Sequence, residues 1–225
     1  MAKSIVNIQD LRVTLPSLAG DVNILKGIDL QVDAGEVVGL TGPSGSGKTT
    51  LLMVLAGLEP PTGGEVLMAG KNFTQMNEDE LARFRRLHIG IVFQSFHLIP
   101  TMTAEENTAL PLELAGEQSG ILDRARAMLD EVGLAHRMDH YPGQLSGGEQ
   151  QRVALARAMI ANPPIMLADE PTGNLDQSTG EQIMDLIFSM QSQRQSTLLL
   201  ITHDPVLAGR CDRVVRLRDG QVDNG

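Results

Sequence analysis

The sequence predicts an α/β fold: a core of buried strands and helices around a phosphate-binding loop, interrupted by an all-helical insert. Three observations lead there. A glycine-rich stretch over residues 42–50 stands between a short apolar run and an apolar helical run. Further short apolar runs, over residues 88–93, 165–168 and 196–202, each deliver a polar residue at their C-terminal end, where ligands gather in open α/β sheets. From residue 95 to about 133 the pattern turns from strand-like to helical.

The glycine-rich stretch comes first because it carries the most chemistry. Gly42, Pro43, Ser44, Gly45, Ser46, Gly47, Lys48 and Thr49 fit the pattern G-x-x-x-x-G-K-[ST], followed by Thr50. Residues 36–41 before it read as a buried strand, and residues 50–56 after it as a buried helix that Gly57 can end. Glycines let the backbone close around a polyphosphate, and the helix N-terminus adds unpaired N–H donors and positive dipole. Lys48 is expected to reach the β- and γ-phosphates and the Thr49 hydroxyl to bind Mg²⁺. The residues themselves therefore point to a nucleoside triphosphate.

The remaining elements follow in order. Residues 5–13 and 25–32 alternate as half-buried strands, with a loop over 16–21 between them. A turn at 60–64 leads to a short strand at 65–69. Asn77 with Glu80 makes a capping box for a helix running to Arg85 and Arg86, and Thr103 with Glu106 makes a second. Residues 123–132 form an amphipathic helix ended by Gly133. Residues 145–151 open a helix through 153–160, closed by Pro163 and Pro164. A helix over 180–191 places Ile183, Ile187 and Met190 on one face. Arg213–Arg218 and residues 221–222 flank Asp219 and Gly220 as a hairpin.

Bulk properties narrow the class. A length of 225 residues suits one large domain, or a core with an inserted subdomain. Net charge of −10 argues against a protein built to grip nucleic acid, and no nucleic-acid partner is expected. Cys211 is the only cysteine, which excludes an intrachain disulfide and suits a reducing compartment; a small buried apolar role is expected of it. No apolar run approaches the ~20 residues of a membrane span, and the N-terminal stretch lacks the apolar segment of a signal peptide. A cytoplasmic, soluble chain is expected.

The polar residues at the strand ends are the remaining candidates. Asp169 is placed for Mg²⁺ and Glu170 for polarising a water in line with the γ-phosphate. Gln94 and His203 each offer one polar group to the γ-phosphate, its Mg²⁺ or the attacking water. Ser146 and the amides of Gly147 and Gly148, at a helix start, make a second anion site. Two half-sites on one chain are most simply completed in a two-fold dimer, each copy capping the other's nucleotide.

Together these motifs resemble the nucleotide-binding subunit of an ATP-binding-cassette (ABC) transporter over essentially the whole chain. That resemblance implies a P-loop NTPase (RecA-like) core with an antiparallel β subdomain and an inserted all-helical subdomain. It makes 1–225 a single nucleotide-binding domain, with 1–94 and 156–225 the catalytic core and 95–155 the helical subdomain. Residues 42–49 become the Walker A loop, Gln94 the Q-loop residue, 145–149 the signature and 165–169 the Walker B strand. Glu170 becomes the catalytic base, Asp176 the D-loop aspartate, counted among the nucleotide-binding residues, and His203 the switch histidine. ATP and Mg²⁺ are the implied cofactors, with Thr49, Gln94 and Asp169 as metal residues.

Residues 92–100, 145–157 and 168–176 are similar to the lipoprotein-release and macrolide-export group (the LolD/MacB type). Residues 93–101 and 210–213 look most like its YbbA-type members. The group implies a head-to-tail homodimer bound to an integral membrane permease with few spans and a large extracytoplasmic domain. The chain would then be peripheral on the cytoplasmic face of a bacterial inner membrane, driving mechanotransmission or extraction of a hydrophobic substrate. An ATP-dependent switch on a membrane partner, controlling a periplasmic enzyme or cell division without transport, is the alternative. Phe96 and Leu98, just beyond Gln94, are the residues expected to meet the permease.

One departure stands out. The family usually carries an adenine-stacking aromatic near Leu15, and Thr14, Leu15 and Pro16 supply none. Leu15 can cover the base only by apolar contact, without the stacking contribution of about 0.5–1.5 kcal/mol. Leu15→Tyr is expected to tighten ATP binding in a titration; unchanged or weaker affinity would show that this loop does not approach the base.

Overall fold

The computed structural model describes residues 4–17 and 20–223. In chain order these carry β1 (Ser4–Leu15), β2 (Val22–Asp33), β3 (Val37–Thr41), α1 (Lys48–Leu55), β4 (Gly63–Met68), β5 (Lys71–Asn72), α2 (Glu78–His88) and β6 (Ile89–Phe93). There follow α3 (Ala104–Leu114), α4 (Ile121–Glu131), α5 (Gly147–Met159), β7 (Ile165–Asp169), α6 (Gln177–Arg194), β8 (Thr197–Ile201), α7 (Pro205–Ala208), β9 (Arg213–Arg218) and β10 (Gln221–Val222). Leu18 and Ala19 of the expected 16–21 loop lie outside the described residues, as do the first three residues of the N-terminal stretch. The chain divides into two compact units, Met1–Arg85 with Thr197–Gly225, and Arg86–Ser196.

In the first unit, β2-β1-β4-β5 form an antiparallel sheet in that order. Strict alternation along β1 fails at one point. Val6 and Ile8 are buried, and so are Leu11 and Val13, but the step between the pairs is three residues rather than two. A bulge at Asp10 (φ +45°) absorbs the extra residue, and Asp29 Oδ1 accepts its N–H at 2.8 Å. β3 pairs in parallel with both β8 and β9. Val38, Leu40 and all of residues 198–201 are buried, the continuous apolar run of a strand covered on both faces. β9 turns into β10 through Asp219 (φ +49°) and Gly220 (φ +76°), whose left-handed backbones suit a two-residue hairpin turn.

In the second unit β6 and β7 pair in parallel, Phe93 opposite Asp169. The helices begin where side chains can satisfy their first N–H groups. Thr103 and Ser146 cap α3 and α5 through reciprocal bonds with Glu106 and Glu149. α6 starts at Gln177, three residues ahead of the expected 180, because the Asp176 carboxylate accepts from Thr179 N at 3.0 Å. The segment before α3 is tied down by Asn107, which is fully buried. Its amide donates to the carbonyls of Ile99, Met102 and Thr103 at 3.0–3.1 Å, and its Oδ1 accepts from Ile99 N at 2.8 Å. Among the described residues no helix is long and apolar enough to cross a membrane.

Candidate functional site

The phosphate loop closes between the end of β3 and the start of α1, in the first unit. Gly42 must be glycine: a Cβ there would lie 2.1 Å from Leu217 O. The β9–β10 turn also braces the loop, Gly220 N donating to Ser46 O at 3.2 Å. Lys48 is 9% exposed, and its Nζ donates to Gly42 O at 3.0 Å and Pro43 O at 2.9 Å. The ammonium is thus folded over the loop and held only by neutral carbonyls. Ser46 is 2% exposed and its Oγ has no hydrogen-bond partner. The first turn of α1 contains no acidic residue, so nothing on the helix offsets its positive end. An orphaned buried hydroxyl, a folded ammonium and an uncompensated helix start are the groups a triphosphate would engage. Thr49, exposed, and Thr50 stand in that first turn.

Two more expected residues belong to the same unit. Leu40 pairs with Ile201 across the β3–β8 ladder, so His203 follows β8 beside the loop. His203, Thr41, Gly42 and Pro43 line one cleft together with Arg216 and Arg218. Leu15 is the last residue of β1, half-buried and paired with Val22. Cys211 is half-buried rather than buried; Sγ donates to Leu207 O at 3.6 Å, and burial is the main cause that pushes the thiol up to about 11. It is a packed, protonated thiol.

The second unit holds Gln94, Asp169, Glu170, the segment Ser146, Gly147 and Gly148, and Asp176. Asp169 ends β7, and the Phe93–Asp169 pairing brings Gln94 and Glu170 to neighbouring positions just past the strands. Glu170 adopts a left-handed backbone (φ +43°), and Gly173 N closes the following turn onto Glu170 O at 3.0 Å. Gln94 is engaged by Asn174 from both sides: Gln94 Nε2 donates to Asn174 Oδ1 at 3.2 Å, and Asn174 Nδ2 donates to Gln94 O at 3.0 Å. A Cβ at Gly173 would lie 2.7 Å from Gln94 Nε2, so the loop after Glu170 needs a glycine to let that amide in.

At the start of α5, Ser146 accepts from Glu149 N at 3.3 Å while Ser146 N donates to Glu149 Oε2 at 2.8 Å. That backbone bond is the main cause that holds the Glu149 carboxyl below its ordinary range, with Arg137 assisting at 2.9 Å. Gly148 has a packing reason besides the opportunity to bare an amide, since a Cβ there would lie 2.5 Å from Thr179 Cγ2 on α6. Asp176 is engaged by Ser178 Oγ at 2.7 Å and Thr179 N, bonds that hold its carboxyl well below the usual range. It therefore stays ionised as the α6 cap.

Three side chains that lie inside the motif stretches are given no role of their own by the sequence. Gln151 is fully buried in α5, and its Nε2 donates to Pro171 O at 2.6 Å and Phe93 O at 3.3 Å. It fixes the ends of β6 and β7 that carry Gln94 and Glu170. Arg157 donates from Nη1 to His97 O at 2.7 Å and from Nη2 to Phe96 O at 2.9 Å. Those two residues have left-handed backbones (φ +54° for Phe96, +49° for His97), held in place by the fork of the guanidinium. Asn174 is the third. The sequence signal for them is their place in the stretches 145–157 and 168–176, which does not say which backbone groups they reach. Among the described residues no group of three or more His, Cys, Asp or Glu side chains is clustered to hold a metal.

A strand, a glycine loop and a helix, with polar residues delivered at strand ends, define a P-loop nucleotide-hydrolase architecture. Residues 25–173 match the family model described as ABC transporter. The chain is 49% identical over 222 residues to the uncharacterized ABC transporter ATP-binding protein YbbA of Escherichia coli (strain K12), covering 98% of this chain and 97% of that one. It is 46% identical to the lipoprotein-releasing system ATP-binding protein LolD of Geobacter metallireducens, covering 97% and 98%. Among solved structures, the dimeric post-hydrolysis state of the ATP-binding cassette MJ0796 bound to ADP and Pi matches with TM-score 0.91 and 42% identity over 97% of each chain. The chain belongs to the ABC transporter family, with the fold of its ATPase cassettes, and is an ATP-hydrolysing subunit.

Replacing Gln151 by Leu takes the donor from the buried Pro171 carbonyl, a loss of about 1–3 kcal/mol, and from the half-buried Phe93 carbonyl at a smaller cost. Gln151→Leu is expected to lower the denaturation midpoint and to reduce kcat more than it raises KM. Wild-type stability and turnover would show that the strand ends are held by other contacts.

Proposed function

We propose that two copies of this chain pair head to tail, close on two Mg·ATP, hydrolyse them and reopen. The observation that carries this reading is the division of phosphate chemistry along the chain. The phosphate loop with Lys48 lies in one unit, and the helix start at Ser146, Gly147 and Gly148 lies in the other. Each is half of a triphosphate site, and a two-fold axis supplies the missing half to both copies at once. The dimeric state of the solved cassette that this chain resembles supports the same arrangement.

In this reading Lys48, the phosphate-loop amides and Ser46 hold the nucleotide's phosphates, and Leu15 covers the base. Thr49, Asp169 and Gln94 would hold Mg²⁺, which neutralises charge on the β- and γ-phosphate oxygens when bound. Glu170 accepts a proton from water as its oxygen forms a bond to the γ-phosphorus, and the bond to the β-phosphate oxygen breaks. His203 and the partner copy's Ser146 and Gly148 stabilise the transferred phosphoryl. Gln94 must exchange its bond with Asn174 for the metal or water, so binding at the nucleotide is registered in the loop that Asn174 anchors.

The membrane partner is read from the segment after Gln94. Phe96 and Leu98 are half-buried, and the Phe96 ring lies about one van der Waals contact from Gly147: a Cβ there would be 3.8 Å from Phe96 Cζ. Arg157 of α5 grips the Phe96 and His97 carbonyls. A permease helix pressing on this segment therefore pushes on the helix that begins at Ser146. We place the chain on the cytoplasmic face of the inner membrane, bound to a permease with few spans and a large extracytoplasmic domain. The resemblance to a lipoprotein-releasing ATPase favours mechanical work on the membrane over a soluble role.

Glu170→Gln is expected to bind ATP normally while kcat falls by roughly 10²–10⁴-fold. Purified from detergent-solubilised membranes with ATP and Mg²⁺, that variant should bring a multi-span protein with it. Full turnover would remove Glu170 from its role, and recovery of the ATPase alone would remove the membrane assignment.

A further inference from the structure

The cleft beside the phosphate loop contains more positive charge than nucleotide binding at Lys48 requires. It measures about 620 Å³, lies wholly within one unit, and is lined by Thr41, Gly42, Pro43, His203, Arg216 and Arg218. Arg216 pairs with Thr41 across the parallel β3–β9 ladder, which sets it level with the start of the loop. Arg218 is two residues on and points to the same exposed side of β9, while Val215 and Leu217 face the core.

Neither guanidinium has a hydrogen-bond or ion-pair partner among the described residues. The carboxylate that follows Arg218 is spent elsewhere, Asp219 being bonded by Lys26 Nζ at 2.6 Å. Two uncompensated arginines lining one concavity, in a chain of net charge −10, create a local field opposite to that of the molecule. Their planar donor forks match an oxyanion better than any neutral ligand.

We propose that Arg216 and Arg218 form a second phosphate site, outside the loop that holds the nucleotide, which takes up inorganic phosphate released by hydrolysis. The proposal rests on the ATPase reading. His203 and the two arginines line the same cleft, so a phosphate freed beside His203 is released next to them. Nucleotide phosphates and free phosphate share this chemistry. The position of the arginines on β9, rather than in the loop or on α1, favours the free ion.

The test is titration of inorganic phosphate into the full-length chain saturated with Mg·ADP, beside a separate titration of ADP. In R216Q/R218Q phosphate affinity should fall about tenfold or more, the scale of losing charge-assisted bonds, while ADP affinity changes less than about twofold. R216K/R218K should fall between wild type and R216Q/R218Q, because the charge remains while the planar donor fork is lost. An unchanged melting temperature in both variants shows that β9 is intact. Equal phosphate affinity in wild type and R216Q/R218Q overturns the proposal, as does absence of saturable phosphate binding to the wild-type ADP complex. A parallel loss of ADP affinity would also overturn it, by assigning the arginines to the nucleotide. If the wild-type chain bound no ADP at all, the ATPase reading itself would fall, before any phosphate was added.

Discussion

The buried amide of Gln151 is the contact on which the catalytic end of its unit depends. It carries two donated bonds, one to the buried carbonyl of Pro171 and one to the half-buried carbonyl of Phe93. Remove it and the backbone just past the paired strand ends, with Gln94 on one and Glu170 on the other, loses its tie to α5. Because Gln151 belongs to α5, the same bonds tie those strand ends to the helix that opens with Ser146. The capping box of Ser146 with Glu149 and the close approach of Gly148 to Thr179 then set where that helix begins. One residue thus connects the segments assigned to water activation, metal sensing and phosphate capping. A rigid connection of this kind is what positioning catalysis demands, since misplacement by about 1 Å can cost about 10²-fold in rate.

The other unit solves a different problem, which is to keep a positive charge ready without a counter-ion. Lys48 is nearly buried, and its ammonium is satisfied by two carbonyls of its own loop. Exchanging neutral carbonyls for phosphate oxygens strengthens each bond, because both partners are then charged. The loop keeps its shape meanwhile because the β9–β10 hairpin packs against it through Leu217 and Gly220. The hairpin therefore braces the glycine loop as well as forming the edge of a sheet, and the arginines of the proposed second phosphate site are carried on it.

Much of this was legible in the residues because it is local. The phosphate loop, the capping boxes at Asn77, Thr103 and Ser146, and the Asp219–Gly220 turn all depend on neighbours within a few positions. Asp10 was not: a bulge needs a partner strand, and the alternation of β1 does not announce where it breaks. The start of α6 was placed late because Asp176 was read for the nucleotide alone, whereas its carboxylate also caps the helix. Gln151, Arg157, Asn107 and Asn174 were illegible for one reason. Each acts on carbonyls or amides up to tens of positions away, and a polar side chain reaching backbone has no spacing rule. Cys211 erred in degree, being half-buried against Leu207 rather than fully enclosed.

The central claim is that a second copy of the chain completes each nucleotide site. Sedimentation of Glu170→Gln protein with and without Mg·ATP tests it most directly, with the added substitution Ser146→Arg as the paired sample. The account predicts a monomer that becomes a dimer when Mg·ATP is added, and no dimer once Ser146 is replaced. A chain that stays monomeric with Mg·ATP, or a dimer indifferent to Ser146→Arg, would contradict it.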